Sequence, residues 1–409
     1  AKTELPVLNT TVYQLPKGMD VETAIAQLKD DPRVEYAEPN YYARPTRIPN
    51  DPAFPTQWGL YNTGQRVAGV SGIPGADINA PAAWDHSVGR SSIIIAIIDT
   101  GVDILHPDLR PNLWINQGEL AGFGSLGAWQ PNGVDDDGNG YVDDVVGWDF
   151  FFNVNNPNDE IDGHGTHVAG IAAARGHNGA GVTGVAWQAR LKAMAAHNYA
   201  RRSLPKDAVA RALIYAETMG ADVINMSLGL YQNSQTLRNA VNAVRRAVIV
   251  CAAGNDGTNN DTRPHYPSSY PNSNIVAVAA TNSFDQRASF SNFGLNSVDV
   301  AAPGTRIYST FSRFVDGGGY RFLDGTSMAS PMVAGLAVLI RAANGDLSST
   351  QVASIIDDSV DPLATLATLI ATGGRINADE ALRLAGDTDG DDDDDDDGCF
   401  IQTLRKVPV

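Results

Sequence analysis

Four stretches of the sequence are largely apolar and rich in β-branched residues, which predicts strands that are buried on both faces. They are SIIIAIID at 92–99, ADVINMSL at 221–228, AVIVCAA at 247–253 and NIVAVAA at 274–280. A strand that is apolar on both faces is covered by other elements on both sides, as in a parallel sheet between helices. The pattern therefore predicts a mostly parallel α/β sheet.

The segments between these runs carry apolar residues at helical spacing, which predicts helices that alternate with the strands. The helical segments are THVAGIAAARG, LPKDAVARALIYAETMG, SQTLRNAVNAVRRA and SPMVAGLAVLIRAANG. This alternation places helices on both faces of the sheet. In such folds the functional side chains gather at the carboxyl ends of the strands.

The chain divides into four predicted parts. Residues 1–46 form a small α+β unit, with extended pieces TTVYQLP and VEYAEPNYY around the helical piece DVETAIAQLKDD. Residues 47–57 are rich in proline and are expected to form an exposed linker. Residues 58–385 form the main domain, and residues 386–409 form an acidic tail that is expected to be disordered.

Charge and composition exclude some classes of function. The formal net charge of −18 argues against nucleic acid as a partner, because phosphates would be repelled, and nine of the acids lie between 387 and 397. No run reaches the roughly 18 apolar residues of a membrane span, so no transmembrane segment is predicted. The first residues lack the features of a signal peptide, which leaves a cytoplasmic chain or one whose signal was removed. The two cysteines, Cys251 and Cys399, give no disulfide framework.

Three polar residues lie at the ends of predicted elements. Asp99 ends an apolar run, His164 lies in DGHGTHVAG before a helix, and Ser327 lies in GTSMASP at the start of another helix. A serine hydroxyl becomes a nucleophile when a base can take its proton and a carboxylate orients that base. Each residue taken alone is also typical of a turn or a helix cap. His164 and His167 lack the glutamate of a zincin helix, so zinc is disfavoured.

The segments IAIIDTGVDILHPDL, DGHGTHVAGIAAA and DGTSMASPMVAG resemble the active-site signatures of the subtilisin-like serine peptidases, or subtilases. The family's order of Asp, His and Ser is also found here, and the likeness covers roughly residues 55–385. It implies a three-layer sandwich with a mostly parallel central sheet and a remnant of an N-terminal prodomain. It also implies that the chain is a serine endopeptidase acting on peptides and proteins.

The resemblance implies roles for particular residues. Ser327 would be the nucleophile, His164 the general base and Asp99 the orienting carboxylate, and Asn255 would donate to the oxyanion. The expected substrate-binding residues are Ser227, Leu228, Gly229, Ala252, Ala253, Gly254 and Asp256. Asp256 suggests tolerance of a basic side chain before the cleaved bond, and an exposed loop acid is the alternative.

Two calcium sites are expected. The segment NGVDDDGNGYVDD matches part of an EF-hand-like loop, although Val146 stands where that loop has its bidentate glutamate. A solvated turn is the alternative for its residues, which are Asp135, Asp137, Asn139, Tyr141 and Asp143. The resemblance implies a second, structural site made by Asp51, Asp108, Asn178, Ala180 and Val182.

The segment VETAIAQLKDDPRVEYAEPNYYARP resembles the latter part of a subtilase propeptide, which acts as an intramolecular inhibitor. Self-cleavage between about Tyr42 and Asp51 is therefore expected, as is a secreted or cell-surface location. GCFIQTLRKVPV resembles the start of a bacterial sorting tag, with chance as the alternative. The alternative functions are a subtilase-shaped binding or scaffold module without turnover and a maturation peptidase with one target.

Overall fold

The computed structural model describes residues 2–5, 10–14, 21–28, 31–39, 47–120, 130–197, 203–386 and 399–404. The chain forms two compact units, one made of Ala1–Pro45 with Thr388–Val409 and one made of Thr46–Asp387. The first unit therefore combines both ends of the chain. The second unit contains the predicted main domain together with the predicted linker.

The strands and helices of the described residues are numbered in chain order. The strands are β1 Lys2–Leu5, β2 Thr10–Gln14, β3 Val34–Pro39, β4 Arg66–Val67, β5 Val70–Ser71, β6 Ile94–Asp99, β7 Gly147–Asp149, β8 Arg190–Ala195, β9 Val223–Met226, β10 Val248–Ala252, β11 Ile275–Thr281, β12 Val300–Pro303, β13 Ile307–Thr310, β14 Tyr320–Leu323, β15 Val360–Pro362, β16 Gly374–Ile376 and β17 Cys399–Leu404. The α-helices are α1 Val21–Leu28, α2 Ala80–His86, α3 His164–Ala173, α4 Lys206–Thr218, α5 Gln235–Ala243, α6 Arg313–Asp316, α7 Thr326–Ala343, α8 Ser349–Asp358 and α9 Ala378–Gly386. Short 3-10 helices lie at Phe54–Thr56, Arg110–Asn112 and Gly118–Leu120.

The second unit is built on a nine-stranded sheet with the order β15-β16-β12-β11-β10-β9-β6-β8-β7. Every neighbouring pair is parallel except β15 with β16. Ile95 of β6 pairs with Leu191 of β8 on one side and with Val223 of β9 on the other. Because the parallel strands share one direction, their carboxyl ends lie at one edge of the sheet.

The sheet is buried on both faces, as its apolar strands predict. Ile95 and Ile97 of β6 belong to a core shared with α3 and α7, whereas Ala96 and Ile98 belong to a second core shared with α4 and α5. Successive side chains of a strand point to opposite faces, so these two cores lie on opposite sides of the sheet. The predicted fold class, a mostly parallel α/β sandwich with helices on both faces, is confirmed.

Helix α7 is the central helix of the larger core. It is long and apolar enough to cross a membrane by length and composition, and 83% of it is buried inside the fold. Its apolar surface is therefore covered by the sheet and by α3, α8 and α9.

Residues 47–57 differ from the exposed linker that their prolines predict. Phe54 and Gln57 are buried, and the Phe54 ring lies 5.8 Å from the Trp84 ring, centroid to centroid. Gln57 Nε2 donates to the Thr183 carbonyl at 2.7 Å. Proline interrupts regular secondary structure but does not prevent packing, so this segment belongs to the second unit.

The first unit contains a four-stranded sheet with the order β1-β2-β17-β3. The expected disorder of 386–409 falls mostly on residues outside those described, but Cys399–Leu404 forms β17 instead. Strand β17 pairs with a neighbouring strand on each side, so its backbone N–H and C=O groups have partners in the sheet in place of water. This explains how so short a segment becomes a strand. Of the predicted cleavage segment, residues 42–46 lie outside the described residues and residues 47–51 belong to the second unit.

Candidate active site

Asp99 and His164, although 65 residues apart in sequence, form one hydrogen-bonded pair. Asp99 ends β6 and is 2% exposed, and His164 is the first residue of α3. The His164 Nδ1–H donates to Asp99 Oδ1 at 2.7 Å. Burial lowers the pKa of His164, but the charge and hydrogen bond of Asp99 outweigh burial and raise it to about 9. A carboxylate in this position fixes the tautomer of the ring and stabilises its protonated form.

Ser327 lies at the open end of the buried helix α7, where its hydroxyl reaches the same region. Its Oγ donates to the Ser227 carbonyl at 3.3 Å, and Ser227 Oγ donates to the Ser327 carbonyl at 2.8 Å. Ser227 follows β9, and both Ser227 and His164 line one cleft. The N-terminus of a helix favours negative charge, so a charge that develops beside Ser327 is stabilised there.

The side-chain amide of Asn255 is held by the start of α7. Its Oδ1 accepts from Thr326 N and from Thr326 Oγ1, both at 2.9 Å. A Cβ placed on Gly325 would lie 3.4 Å from Ser327 N and 3.6 Å from Asn255 Nδ2. The two donors therefore border one small space that Gly325 leaves open. The sequence interpretation missed Thr326 and Gly325, although both stand in the GTS motif beside the serine.

The cleft holds about 530 Å³ and is partly apolar. Asp99, His164, Ser227, Leu228 and Gly229 line it together with side chains that the sequence interpretation did not select. These are Thr100, Ser203, Leu204, Pro205, Lys206, Val209, Leu230 and Leu237. The strands β9 and β10 are parallel neighbours, so the segments after them, including Ala252, Ala253 and Gly254, lie at the same edge of the sheet.

His265 is a further residue at this edge that the sequence did not indicate. A Cβ on Gly229 would lie 2.0 Å from the His265 ring, and one on Gly254 would lie 3.1 Å from it. The imidazole therefore packs against two of the expected substrate-binding glycines. Burial lowers the pKa of His265 to about 4, so the ring is neutral near pH 7. Asp256 is exposed, and its N–H donates to Asn292 Oδ1 at 3.0 Å.

Asp159 holds the N-terminus of helix α3, which begins with His164. This buried carboxylate accepts from Gly163 N at 2.9 Å, from Thr166 N at 3.1 Å and from Thr166 Oγ1 at 2.9 Å. It thereby satisfies N–H groups at the N-terminus of α3, which have no partner within the helix. Burial raises the pKa of Asp159 to about 6.

The residues of the calcium site that the family resemblance implies form one connected group. Asp108 accepts from Asn178 Nδ2 at 3.1 Å, from Val182 N at 2.9 Å and from the Tyr320 hydroxyl at 2.9 Å. Asp51 accepts from the backbone N–H of Asn178 at 3.3 Å. Burial raises the pKa of Asp51, with a further contribution from the negative charge of Asp108.

Ala180 completes this group, because its N–H donates to Asn178 Oδ1 at 2.8 Å. The carboxylates of Asp51 and Asp108 and the side-chain amide oxygen of Asn178 are of the kinds that Ca²⁺ prefers as ligands. A cation between Asp51 and Asp108 would offset the repulsion between their charges, so the residues fit the ion.

The expected EF-hand-like site is rearranged in the structure. A group of carboxylates that could hold a metal consists of Glu119, Asp137 and Asp144, with ligand atoms within 4.8 Å of one another. Burial raises the pKa of Glu119, and the negative charges of Asp144 and Asp137 raise it further. A bound cation would oppose this rise in the pKa. Of the five residues expected from the sequence, only Asp137 belongs to this group.

The other four residues make different contacts, and Asn139 Nδ2 donates to Asp144 Oδ2 at 3.0 Å. Asp135 accepts from the N–H groups of Asn139 and Gly140, at 3.0 and 2.7 Å. Asp143 accepts from the N–H groups of Asn132 and Gly133. Tyr141 contributes an aromatic ring that packs on Trp148, Phe150 and Tyr215. Glu119 was missed because it lies in a separate segment of the chain.

His167 is a buried core residue. Its Nε2 contacts the carbonyls of Ile307 and Arg321 at 3.1 and 2.9 Å, and burial lowers its pKa to about 3. Since a carbonyl only accepts, Nε2–H is the donor in this pair of contacts.

The family comparison matches most of the second unit. The model described as the subtilase family, Peptidase_S8, matches residues 90–386. The model described as the fervidolysin N-terminal prodomain matches residues 1–40. These two matches cover the two predicted functional parts of the chain.

Individual proteins show the same likeness. The chain is 37% identical over 373 residues to the thermophilic serine proteinase of Bacillus sp. (strain AK1), covering 90% of this chain and 78% of that protein. It is 39% identical over 308 residues to thermitase of Thermoactinomyces vulgaris, covering 75% of this chain and 94% of thermitase. A solved protease structure from Pseudoalteromonas arctica PAMC 21717 matches with a TM-score of 0.64 and 29% identity, covering 83% of this chain and all of that chain.

Proposed function

The chain belongs to the subtilase family of serine peptidases and is a subtilisin-like serine endopeptidase, and we propose that it cuts peptide bonds through Asp99, His164 and Ser327. The observation that carries this assignment is the 2.7 Å hydrogen bond between His164 and the buried carboxylate of Asp99. It prepares the imidazole to act as a base toward the hydroxyl at the start of α7.

The reaction begins when Ser327 Oγ exchanges its hydrogen bond to the Ser227 carbonyl for one to His164 Nε2. His164 takes the hydroxyl proton while Oγ forms a bond to the substrate carbonyl carbon. The oxygen of that carbonyl becomes negative in the tetrahedral intermediate. We assign its stabilisation to Asn255 Nδ2 and Ser327 N–H, which border the space beside Gly325.

The intermediate collapses when His164 gives the proton to the leaving amine and the C–N bond breaks. An ester between Ser327 and the acyl part of the substrate remains. Water then gives its proton to His164 and attacks the ester carbon, which releases the new carboxylic acid and restores the serine. Asp99 stays ionised throughout and balances the charge of the imidazolium.

A fluorophosphonate probe tests the assignment. The mature protein in calcium should be labelled at Ser327, and both His164→Ala and Ser327→Ala should abolish labelling. Circular dichroism of each variant checks that the fold is kept. An unlabelled but folded wild-type protein would contradict catalysis and favour a binding or scaffold module. Profiling of cleavage in a denatured proteome then separates broad digestion from a single target.

Calcium is proposed as a structural cofactor at the two acidic groups. Asp51, Asp108, Asn178, Ala180 and Val182 would hold one ion. The carboxylates grouped around Asp137 would hold another. When bound, calcium supplies positive charge that offsets carboxylate repulsion and joins separate loops.

The N-terminal unit is proposed to be a propeptide that inhibits its own peptidase, on the basis of its match to a prodomain family. Self-cleavage between about Tyr42 and Asp51 would separate the polypeptide of this unit from that of the peptidase. Wild type should then lose its N-terminal mass after purification while Ser327→Ala retains it, and equal masses that both include residue 1 would rule this out.

We propose a secreted or cell-surface location. Latency before processing suits an enzyme that is active outside the cell. Structural calcium suits the same place, because extracellular modules work with affinities of roughly 10⁻⁴–10⁻³ M. Fractionation of the native source, with the enzyme assayed in medium, surface and cell extract, tests the location.

A further inference from the structure

The sheet of the first unit includes a strand from the opposite end of the chain. Strand β17, Cys399–Leu404, lies between β2 and β3 and is antiparallel to both. The Cα of Ile401 pairs with Val12 on one side and with Glu38 on the other. The strand is therefore the connection between the two halves of the sheet.

Without β17 the sheet is divided. Strands β2 and β3 are separated by two strand spacings, about 10 Å, so they do not pair with each other. The hairpin of β1 and β2 would remain alone, and an isolated two-stranded hairpin is at best marginally stable. Helix α1 packs against β3 and also contacts β17. The N-terminal residues thus need the C-terminal strand to form one sheet.

This topology gives the first unit two covalent connections to the peptidase unit. One follows β3, where the proposed cleavage occurs, and the other is the acidic segment 387–398 before β17. A cut after β3 removes the first connection and leaves the second intact. After that cut the N-terminal fragment is held through its pairing with β17, which the acidic segment still joins to the peptidase.

We infer that β17 retains the N-terminal unit on the enzyme after the first cleavage, so that full release requires a second cut in the acidic segment. The retention of the N-terminal unit rests on the proposed self-processing. The position of β17 in the sheet does not depend on that processing. The partner of the N-terminal sheet is thus the C-terminus of the same chain, which binds by strand addition.

A disulfide tests the position of β17 without any catalysis. The Cα of Cys399 pairs with Gln14 of β2, and paired Cα atoms about 4.5–5.5 Å apart suit a disulfide. In the Ser327→Ala background, Gln14→Cys should give a linked 14–399 peptide in the oxidised monomer, measured by mass spectrometry. The other native thiol, Cys251, is fully buried and does not compete.

Val12→Cys is the matched control, because its Cα pairs with Ile401, two residues further along. We expect at least tenfold more linkage to Cys399 from position 14 than from position 12. Equal yields would overturn the register. Linkage found only in dimers would overturn the intramolecular strand.

The second experiment tests retention. Gly398→Lys turns the aspartate run into a site for enteropeptidase just before β17. After self-processing, the N-terminal fragment should co-elute with the peptidase in gel filtration. Enteropeptidase should then release that fragment together with the C-terminal strand and raise peptidase activity at least tenfold.

Two results would overturn retention by the tail: loss of the fragment before enteropeptidase is added, and persistence of the fragment after both cuts. Absence of self-processing would instead remove the zymogen proposal and with it the retention step. The disulfide result in the inactive background would still decide where β17 lies.

Discussion

The assignment of the oxyanion site predicts that Thr326 acts on catalysis through Asn255. Asn255→Ala removes one donor and should lower kcat by about 10²–10³ with little change in KM, the loss known for removal of such a donor in subtilisin, a member of this family. Thr326→Val removes one of the two hydrogen bonds that orient Asn255, and it also removes the bond that Thr326 Oγ1 accepts from Gly254 N at 3.2 Å. A neutral hydrogen bond contributes about 0.5–1.5 kcal/mol, so kcat should fall about two- to tenfold.

The double variant gives the sharpest test. If the Thr326 hydroxyl acts only by orienting Asn255, adding Thr326→Val to Asn255→Ala should cost nothing further in kcat. Hydrolysis of a short chromogenic peptide amide, with kcat and KM determined separately for each variant, measures this coupling. Thr372→Val is the control, because it also removes a hydroxyl bond to a carbonyl, at 2.7 Å from Asp299 O. It should change thermal stability and leave kcat unaltered.

Two outcomes would refute the reasoning. If the losses of the single variants multiply in the double variant, Thr326 stabilises the transition state by a route that does not include Asn255. If Asn255→Ala raises KM and leaves kcat unchanged, its amide binds the ground state and is not the oxyanion donor.

Three further results are expected. Asp99 raises the pKa of His164 to about 9 against the effect of burial, and only the neutral ring is a base. The value of kcat/KM should therefore fall as pH falls through about 9. A pH–rate profile that falls instead near the ordinary imidazole pKa of about 6.5 contradicts this. Removing calcium with a chelator should lower the free energy of unfolding by about 2.7 kcal/mol relative to protein in calcium at 100 times its Kd. Calorimetry should show that Asp108→Asn has already lost most of this stabilisation before the chelator is added. A chelator effect as large in Asp108→Asn as in wild type argues against the site. Gly335→Ala places a Cβ 2.5 Å from Val185 Cβ and 3.0 Å from the Ala172 carbonyl of α3 and should cost about 1–3 kcal/mol, so an unchanged Tm would be inconsistent with this packing against α7.

The sequence by itself determined the sheet, the helices around it and the residues with catalytic chemistry. The apolar runs that became β6, β9, β10 and β11 each needed cover on both faces, which left little choice of fold. The signatures around Asp99, His164 and Ser327 are local, because a nucleophile, a base and a carboxylate each need a particular side chain at the end of an element. Such information is contained in a few consecutive residues.

Tertiary structure decided the contacts between segments that the sequence does not connect. Glu119 joins Asp144 at the acidic group, His265 packs against Gly229, and β17 enters a sheet of the other terminus. The prolines of the expected linker likewise gave no sign that Phe54 would be buried. Each of these contacts depends on how the fold brings two segments of the backbone together. The sequence pattern within either segment does not determine that arrangement.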